Sequence, residues 1–506
     1  MTAEIPDPRR WWTLGVLCLS LLVISLDNTI LNVALPTLER DLGASSSQLQ
    51  WIVDSYMLVF AGLLLTAGAL GDRFGRKRAL KFGLLVFGLG STLSAFAGSA
   101  DALIASRALM GIGGAFIMPS TLSILTATFP ARERAKAIGI WAGVSGLGIA
   151  IGPLAGGWIV ENADWSWIFL VNVPFVIGAL VAGRWLIPES LDPSAPRLDV
   201  PGFGLSTLGL VALVWAVIEA PSAGWTSPTI LAGFGAAATL LLAFVAWERH
   251  TPHPMLDIEL FRNRRFSAAS GAITLSFFAM FGAIYFLTQY LQLVLGFSAL
   301  EAGVRILPVA VGIALGGPLS AKLSERIGAK LVVASGLGLV ATAMYLMSEF
   351  EVASGYGIVA ASFIMLGVGI GMAMTPATDA VMGSLPLAKA SVGSAVNDAT
   401  RTTGGALGVA IMGSIMSSGY RGDMDAIGAG AAAQDSLAGA LGSASALGGQ
   451  AGARLAATAQ EAFVSGMHTA VLIGAAIALA GALVALLFLP AREVSTMRLA
   501  AAPAPA

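Results

Sequence analysis

Residues 68–78 read GALGDRFGRKR, a charged loop that joins the apolar run 51–70 to the apolar run 80–98. A second loop of the same kind spans Glu325 to Lys330 (ERIGAK) and follows another apolar run. It repeats the acid, the arginine, the apolar residue and the glycine of Asp72 to Lys77 (DRFGRK) in the same order. Two such loops at corresponding positions predict a chain built as two related halves.

Composition places these halves in a membrane. The chain has 506 residues, of which 56% are hydrophobic and 11% are charged, whereas a soluble domain carries about 25% charged residues. Apolar runs of the roughly 20 residues that a spanning helix needs recur along the chain. We predict fourteen helices, at residues 12–35, 51–70, 80–98, 102–126, 137–160, 166–186, 202–219, 229–247, 266–291, 302–321, 331–348, 356–378, 402–418 and 468–489.

Basic residues fall in alternate loops between these runs. We place the N-terminus, with Arg9 and Arg10, on the inner side of the membrane. The inner loops then hold Arg73, Arg76, Lys77, Arg78, Arg132, Arg134, Lys136, Arg249, Arg262, Arg264, Arg265, Lys322, Arg326 and Lys330. The outer loops hold only Arg40, Arg421 and Arg454. Because cytoplasmic loops are enriched in lysine and arginine, this alternation predicts that both termini are cytoplasmic.

These patterns predict an all-α polytopic membrane protein with two pseudo-symmetric six-helix bundles, residues 1–186 and 266–490. Two extra helices lie between them in the proline-containing segment 187–265. Residues 419–467 are rich in alanine and glycine and are predicted to form a long, partly helical external loop, after which His468 begins the last helix. Residues 491–506 are predicted to form a cytoplasmic tail.

Three charged residues interrupt apolar helices. Asp27 lies in the outer half of the first helix, and Asp54 and Arg107 lie near the outer ends of the second and fourth. A charge inside a bilayer is expensive, so such residues face a cavity, pair with one another or carry a proton. Because the three share a similar depth, we predict one network in which a cationic substrate and a proton compete for Asp27. A static Asp–Arg pair that only fixes helix packing is the alternative.

Two other helices carry glycines four residues apart, which place small residues on one face. These glycines are Gly148, Gly152 and Gly156 in one helix, and Gly312 and Gly316 in another. We predict that the two helices pack against each other across the pseudo-symmetry axis, with a kink at Pro153.

Aromatic and amide side chains mark a possible substrate surface. Phe277, Phe281 and Tyr285 form a stripe on the ninth helix, with Gln289 close by. Aromatic faces attract organic cations. The candidate substrate contacts are therefore Asn32, Phe281, Tyr285 and Gln289, although such a stripe is also typical of ordinary packing or lipid contact.

Four motifs together resemble a known family, the 14-helix drug:proton antiporters of the major facilitator superfamily, which includes exporters of quaternary ammonium and other cationic drugs. They are the loop with Gly68, Asp72, Arg73, Gly75 and Arg76; Arg107 with Gly111, Gly113 and Gly114; Gly148, Gly152, Pro153, Gly156 and Gly157; and Asp27 to Ile30 with Asn32, Ala34 and Pro36.

The resemblance covers about residues 12–490. It implies the major facilitator fold and proton-coupled drug export by alternating access. It also implies that the loop of residues 68–78 latches the two halves in the outward-facing state, and that the glycine–proline helix belongs to an antiporter rather than an importer.

Other function classes fit the residues less well. No Gly-Lys dipeptide occurs, so the chain lacks the phosphate-binding loop of an ATP-driven pump. Its three histidines and single Cys18 form no metal-ligand pattern. We therefore expect a transporter rather than an enzyme, with no cofactor, metal or nucleic-acid partner, acting as a monomer on a small molecule and protons in the bacterial cytoplasmic membrane. A dedicated exporter of one metabolite or antibiotic, or an importer, remains an alternative.

Overall fold

A computed structural model describes residues 8–191, 199–252, 254–384 and 390–489. Within these ranges every regular element is a helix. The long helices are α1 Arg10–Leu42, α2 Ser46–Phe74, α3 Arg76–Ala95, α4 Ala100–Thr128, α5 Ala131–Asn162, α6 Trp167–Leu186, α7 Val200–Ala223, α8 Pro228–His250, α9 Arg264–Val294, α10 Ala299–Ile327, α11 Ala329–Met347, α12 Tyr356–Gly383, α13 Ala390–Ala426 and α14 Gly449–Phe488.

Each of the fourteen predicted segments overlaps one of these helices. Among the described residues, eleven helices are long and apolar enough to cross a membrane. The other three are α3, α5 and α13. The prediction of a multi-pass helical membrane protein is therefore confirmed, while the count of fourteen spans stays a prediction. The predictions for His253, the Arg132 side chain and the tail 491–506 lie outside the described residues.

The two related loops fold alike. Gly75 between α2 and α3 has φ 113°, and Gly328 between α10 and α11 has φ 86°, a region of backbone space that favours glycine. Each N–H donates to the carbonyl four residues earlier, Gly71 at 2.9 Å and Ser324 at 3.0 Å. The two loops therefore share their order of residues because both form the same turn.

The helices that lead into these loops also begin alike. At α2 the Ser45 hydroxyl accepts from the Gln48 N–H, and the Gln48 side chain accepts from the Ser45 N–H. At α10 Ser298 and Glu301 form the same reciprocal capping box. Such boxes satisfy two of the backbone N–H groups that a helix start leaves unpaired.

Helix pairing repeats between the halves. In the first half α1 packs on α5, and both α2 and α3 pack on α4. In the second half α9 packs on α13, and both α10 and α11 pack on α12. The extra helices α7 and α8 pair with each other, and α7 contacts both α2 and α13. The extra pair therefore lies beside the boundary between the halves.

The last helix differs from its prediction. It begins at Gly449 rather than at His468, and α13 continues to Ala426. His468 consequently lies inside α14, with its Nε2 atom 2.5 Å from the carbonyl oxygen of Phe350. The placement of His468 at a helix start is wrong because the preceding alanine-rich stretch, with few long apolar residues, is itself helical; alanine has the highest helix propensity.

Most of the predicted external loop is ordered. Between α13 and α14, two short helices cover Ala431–Asp435 and Leu437–Leu447. We call residues 427–448 the lid. The Tyr420 hydroxyl of α13 donates to the Ser436 carbonyl at 2.9 Å, and the Ser46 hydroxyl of α2 donates to the Asp435 carbonyl at 2.6 Å. The lid thereby connects the two halves at one end of the molecule, the lid face. The opposite end, where α3 begins with Arg76, Lys77 and Arg78, is the basic face.

Candidate functional site

A cavity of about 130 Å³ lies between the two halves. Its walls come from α1, α2, α4 and α5 of the first half and from α9, α10 and α13 of the second. Most of the wall is apolar or aromatic, and its polar side chains are Ser25, Asn28, Thr29, Asn32, Tyr56, Thr288, Asp398, Arg401 and Thr402. A drug-sized site usually measures about 300–1,000 Å³, so a large substrate requires this cavity to widen.

The charged residues of the cavity wall are Asp398 and Arg401. Arg401 Nη1 lies 3.7 Å from Asp398 Oδ1, and its guanidinium lies 4.6 Å from the centre of the Phe277 ring. Phe277 stacks on Phe281 at 6.1 Å. An acid, a paired cation and two parallel rings thus share one wall. Asp398 and Arg401 were not recognised from the sequence, although an acid and an arginine three residues apart in one helix were the available signal.

Two of the four predicted substrate contacts line the cavity. Asn32 and Phe281 do, whereas Tyr285 and Gln289 do not. The Gln289 amide instead donates to the Tyr285 carbonyl at 3.2 Å, and Tyr285 packs near Gly413 of α13. In this conformer the cavity-lining stripe of α9 continues through Ile284 instead, so substrate contact by Tyr285 and Gln289 stays a prediction. At about 100° per residue, the next side chain turns towards α13.

Asp27 forms a buried ion pair with Arg107, with 2.5 Å between Oδ2 and Nη1. The Asn172 amide of α6 donates to its other oxygen at 3.3 Å and also to the Ser91 hydroxyl of α3 at 3.1 Å. Asp27 does not line the cavity; its neighbour Asn28 does. Direct competition between a substrate and the proton at Asp27 therefore stays a prediction, and in this conformer the cavity does not reach that carboxylate. Asn172 was not recognised from the sequence.

Arg107 connects this pair to the cavity wall. Its Nε atom donates to the Ile52 carbonyl of α2 at 3.2 Å, and its guanidinium lies 4.5 Å from the centre of the Tyr56 ring. Tyr56 also lines the cavity. The Tyr56 ring thus contacts both Arg107 and the space between the halves.

Asp54 lies apart from that pair. Its side chain is fully buried, and neither carboxyl oxygen has a hydrogen-bond partner in the described part of the chain. The prediction that Asp54 joins the Asp27–Arg107 network is wrong. On α2 the residues that face Arg107 are Ile52 and Tyr56, which lie one turn apart. Asp54 is midway between them in the sequence, so its side chain points to the opposite side of the helix.

The predicted gating loop keeps its contacts within the first half and the linker after it. Asp72 and Arg76 form a 2.7 Å ion pair between consecutive helices. The backbone of Gly68 comes close to Pro119 of α4, where a β-carbon would lie 3.5 Å from the proline ring. Arg73 is exposed, with its guanidinium 5.6 Å from the centre of the Phe74 ring. In this conformer these contacts do not join the two halves.

The glycine faces pack differently from the prediction. Gly148, Gly152 and Gly156 of α5 lie against Ser25, Thr29 and Ile30 of α1, whereas Gly312 and Gly316 of α10 lie against Ile364 and Val368 of α12. Each set therefore allows a close approach within its own half. The prediction that α5 and α10 pack against each other is confirmed, but these glycines do not form the contact, because helix neighbours within each half already occupy them.

α5 and α10 nevertheless touch, through other glycines. A β-carbon on Gly157 would lie 2.6 Å from the Leu300 Cα atom, and one on Gly303 would meet the Pro153 carbonyl oxygen. These contacts involve the end of α5 and the beginning of α10, at the lid face. Close helix contact in lipid depends on small residues at the crossing.

Other contacts between the halves also lie towards the lid face. The Gln292 amide of α9 donates to the Val33 carbonyl of α1 at 2.9 Å. The Ser298 hydroxyl lies 3.2 Å from Glu161 of α5. Together with the lid, these contacts hold the two halves together at that face.

Two related helical halves around a cavity with charged and aromatic walls define a membrane transporter of small molecules. The chain matches the Major Facilitator Superfamily over residues 17–409 and belongs to that family.

Similar proteins include efflux and resistance proteins of bacteria. The chain is 38% identical to the multidrug efflux pump LfrA of Mycolicibacterium smegmatis, over 94% of this chain and 95% of that protein. It is 35% identical to the tetracenomycin C resistance and export protein of Streptomyces glaucescens, over 94% and 91%. It is 36% identical to the methyl viologen resistance protein SmvA of Salmonella typhimurium, over 81% and 83%.

A solved structure has the same fold. It is a bacterial homologue of the human lysosomal transporter Spinster, in an inward-facing and occupied conformation. The TM-score is 0.69 at 18% identity, and the match covers 96% of this chain and 98% of the other.

Proposed function

We propose that this protein exports small lipophilic, positively charged compounds across the bacterial cytoplasmic membrane in exchange for protons. The observation that carries the proposal is the Asp398–Arg401 pair beside stacked aromatic rings in a cavity between the halves. The names of the efflux and resistance relatives support the same direction of transport.

The proposed topology has fourteen spans and two cytoplasmic termini. It comprises bundles at residues 1–186 and 266–490 and two extra helices within 187–265, and the basic face is cytoplasmic. Basic residues concentrate at that face, as the positive-inside rule requires. Contacts between the halves lie towards the lid face, so in this conformer the cavity opens towards the cytoplasm.

A cationic substrate is proposed to bind by competing with Arg401 for Asp398. The pair is 3.7 Å apart, and the Asp398 side chain is 15% exposed, so the acid is available to a second cation. The stacked rings of Phe277 and Phe281 add cation–π attraction, which is worth up to about 2 kcal/mol at a desolvated site. The opposite wall supplies the amides of Asn28 and Asn32.

Proton coupling is proposed to involve Asp27, Asp54 and Arg107. An ionised carboxylate without a partner costs several kcal/mol to bury, so we propose that Asp54 carries a proton in this conformer. Substrate bound against Tyr56 would shift the ring that contacts Arg107, and thereby alter the charge balance at Asp27. The substrate and the proton are then linked through Tyr56 rather than through one shared carboxylate.

Transport into inverted membrane vesicles tests the substrate site. With methyl viologen, an organic dication, and an imposed pH gradient, we expect accumulation that collapses when the gradient is removed. Asp398→Asn should reduce the initial rate at least about tenfold, the effect of roughly 1.4 kcal/mol. The matched control is Asp423→Asn at the exposed end of the same helix. Equal rates in the two variants would exclude Asp398 from the substrate site.

Proton release on addition of substrate to the solubilised protein tests the coupling residues. Asp27→Asn and Asp54→Asn are each expected to lower the number of protons released, with Asp423→Asn as the control. Undiminished release from either variant would remove that carboxylate from the mechanism.

A dedicated exporter of one antibiotic or metabolite is a second candidate, supported by the relatives named for tetracenomycin C and puromycin. A susceptibility screen in a strain without its own exporters separates the two. Protection against several unrelated cations supports broad export, whereas protection against one compound supports the dedicated function. Vesicle uptake in the opposite direction would indicate an importer.

A further inference from the structure

A groove of about 410 Å³ lies on the outside of the first half, between α3 and α6. It is separate from the central cavity and opens at the basic face. Its apolar walls include Leu80, Leu84, Leu180 and Trp185. Large apolar side chains of both helices are exposed around it, including Phe82, Leu85, Ile177 and Trp185, so this side of the molecule contacts lipid.

Three cations line the same groove, namely Lys77, Lys81 and Arg184. Lys77 and Lys81 are one turn apart on α3 and share a face. The Lys77 ammonium donates to the Arg184 carbonyl at 2.9 Å, which brings the two helix ends together. In the described residues neither the Lys81 ammonium nor the Arg184 guanidinium has a hydrogen-bond or ion-pair partner.

Glu189, which bonds to the backbone of Lys77, does not pair with the Lys81 or Arg184 side chain. Glu189 accepts from the Lys77 backbone N–H at 3.1 Å, and its other oxygen lies 3.7 Å from Arg78. Its charge is therefore directed at the start of α3 and at Arg78, outside the groove. Lys81 and Arg184 keep a positive surplus above an apolar channel.

We propose that this groove binds an anionic phospholipid, which goes beyond the transport function proposed above. The phosphate would lie among Lys77, Lys81 and Arg184, and an acyl chain would follow Leu80, Leu84 and Leu180 into the bilayer. Basic pockets between spanning helices on the cytoplasmic side suit such headgroups, and Trp185 lies where an amphipathic ring favours the membrane interface. A free phosphate would leave the apolar walls empty, so the occupant is a lipid.

The test uses the full-length, delipidated protein in detergent micelles. Binding of dioleoylphosphatidylglycerol and of dioleoylphosphatidylcholine is measured by titration and native mass spectrometry. A basic residue near an anionic headgroup contributes about fivefold to affinity, so removing both unpaired cations should weaken phosphatidylglycerol binding about 30-fold. The variant is Lys81→Gln with Arg184→Gln, and phosphatidylcholine binding should not change.

Two controls make the result specific. Lys322→Gln with Lys330→Gln removes two cations from the same face of the second half and should leave phosphatidylglycerol binding intact. Lys81→Arg with Arg184→Lys keeps both charges and should also bind normally, which separates a charge effect from misfolding. The proposal is overturned if the charge-removing variant binds phosphatidylglycerol as tightly as the wild type. It is also overturned if inorganic phosphate competes equally well, because the site would then be a plain anion site.

Discussion

We predict how much the buried Asp27–Arg107 pair contributes to the free energy of unfolding. Both side chains are nearly inaccessible, at 0% and 2% exposure, and they lie 2.5 Å apart. Asp27→Asn keeps an acceptor at this position but removes the charge, so Arg107 stays buried without a counterion. Breaking a buried pair in this way costs about 3–5 kcal/mol. We therefore expect a loss of about 3 kcal/mol in the free energy of unfolding.

The Asp72–Arg76 pair provides the matched control. It has a similar contact distance of 2.7 Å, but its side chains are 28% and 19% exposed. Asp72→Asn is expected to cost less than about 1 kcal/mol, because water screens an ion pair near the surface. Unfolding is measured by circular dichroism in mixed micelles of mild detergent and sodium dodecyl sulfate.

A double-variant cycle completes the experiment. Asp27→Asn combined with Arg107→Met removes both charges, and we expect it to lose less stability than the sum of the two single variants by about 1–3 kcal/mol. A loss of stability from Asp27→Asn no greater than that from Asp72→Asn would contradict a stabilising buried pair. Simple additivity of the Asp27 and Arg107 effects would contradict it as well.

Two further predictions concern the lid face. Gly157→Ala should separate α5 from α10, because its β-carbon would lie 2.6 Å from the Leu300 Cα atom. We expect the free energy of unfolding to fall by about 1–3 kcal/mol. Spin-label distances across the lid face should also shift away from those of this conformer. Gly139→Ala on the same helix meets no atom within 4 Å and should be neutral in both measurements. Tyr420→Phe removes a hydroxyl whose single O–H group lies near two lid carbonyl oxygens, that of Ala433 at 2.8 Å and that of Ser436 at 2.9 Å. At about 1 kcal/mol for the lost hydrogen bond, external protease should cut the lid about fivefold faster. The control variant Tyr345→Phe changes an exposed tyrosine, and protease should cut its lid at the wild-type rate. Equal cutting rates for the two variants would exclude Tyr420 as the lid anchor.

Some features of the site were predictable because they depend on local chemistry. A carboxylate and an arginine in apolar helices need partners wherever they lie, so the pairing of Asp27 with Arg107 follows from burial alone. The turn glycines Gly75 and Gly328 were predictable for a similar reason, since a break between two helices needs a residue that tolerates positive φ. Phe281, predicted as a substrate contact, lines the cavity, and its contact with substrate stays a prediction.

Other features depend on helix rotation, which hydropathy does not reveal. Because each residue turns a helix by about 100°, Asn28 faces the cavity while Asp27 faces α4. The same rotation removes Tyr285 from the cavity and separates Asp54 from Arg107. Asp398 was missed because its helix is only weakly apolar, so a charged residue does not stand out there. Only its position on the same cavity as Asn28 and Asn32 makes it a candidate for substrate binding.

The sequence by itself determined the class of the protein: apolar runs of spanning length, basic residues in alternate loops and a repeated loop require two related bundles in a membrane. These properties are local, because each helix satisfies its own backbone hydrogen bonds in lipid. Tertiary structure alone decided which side chains meet between the bundles and which glycines form the crossing of α5 and α10. It also decided that the alanine-rich segment folds as a lid across both halves. Those outcomes depend on how helices rotate and pack, and contacts between distant residues determine that packing.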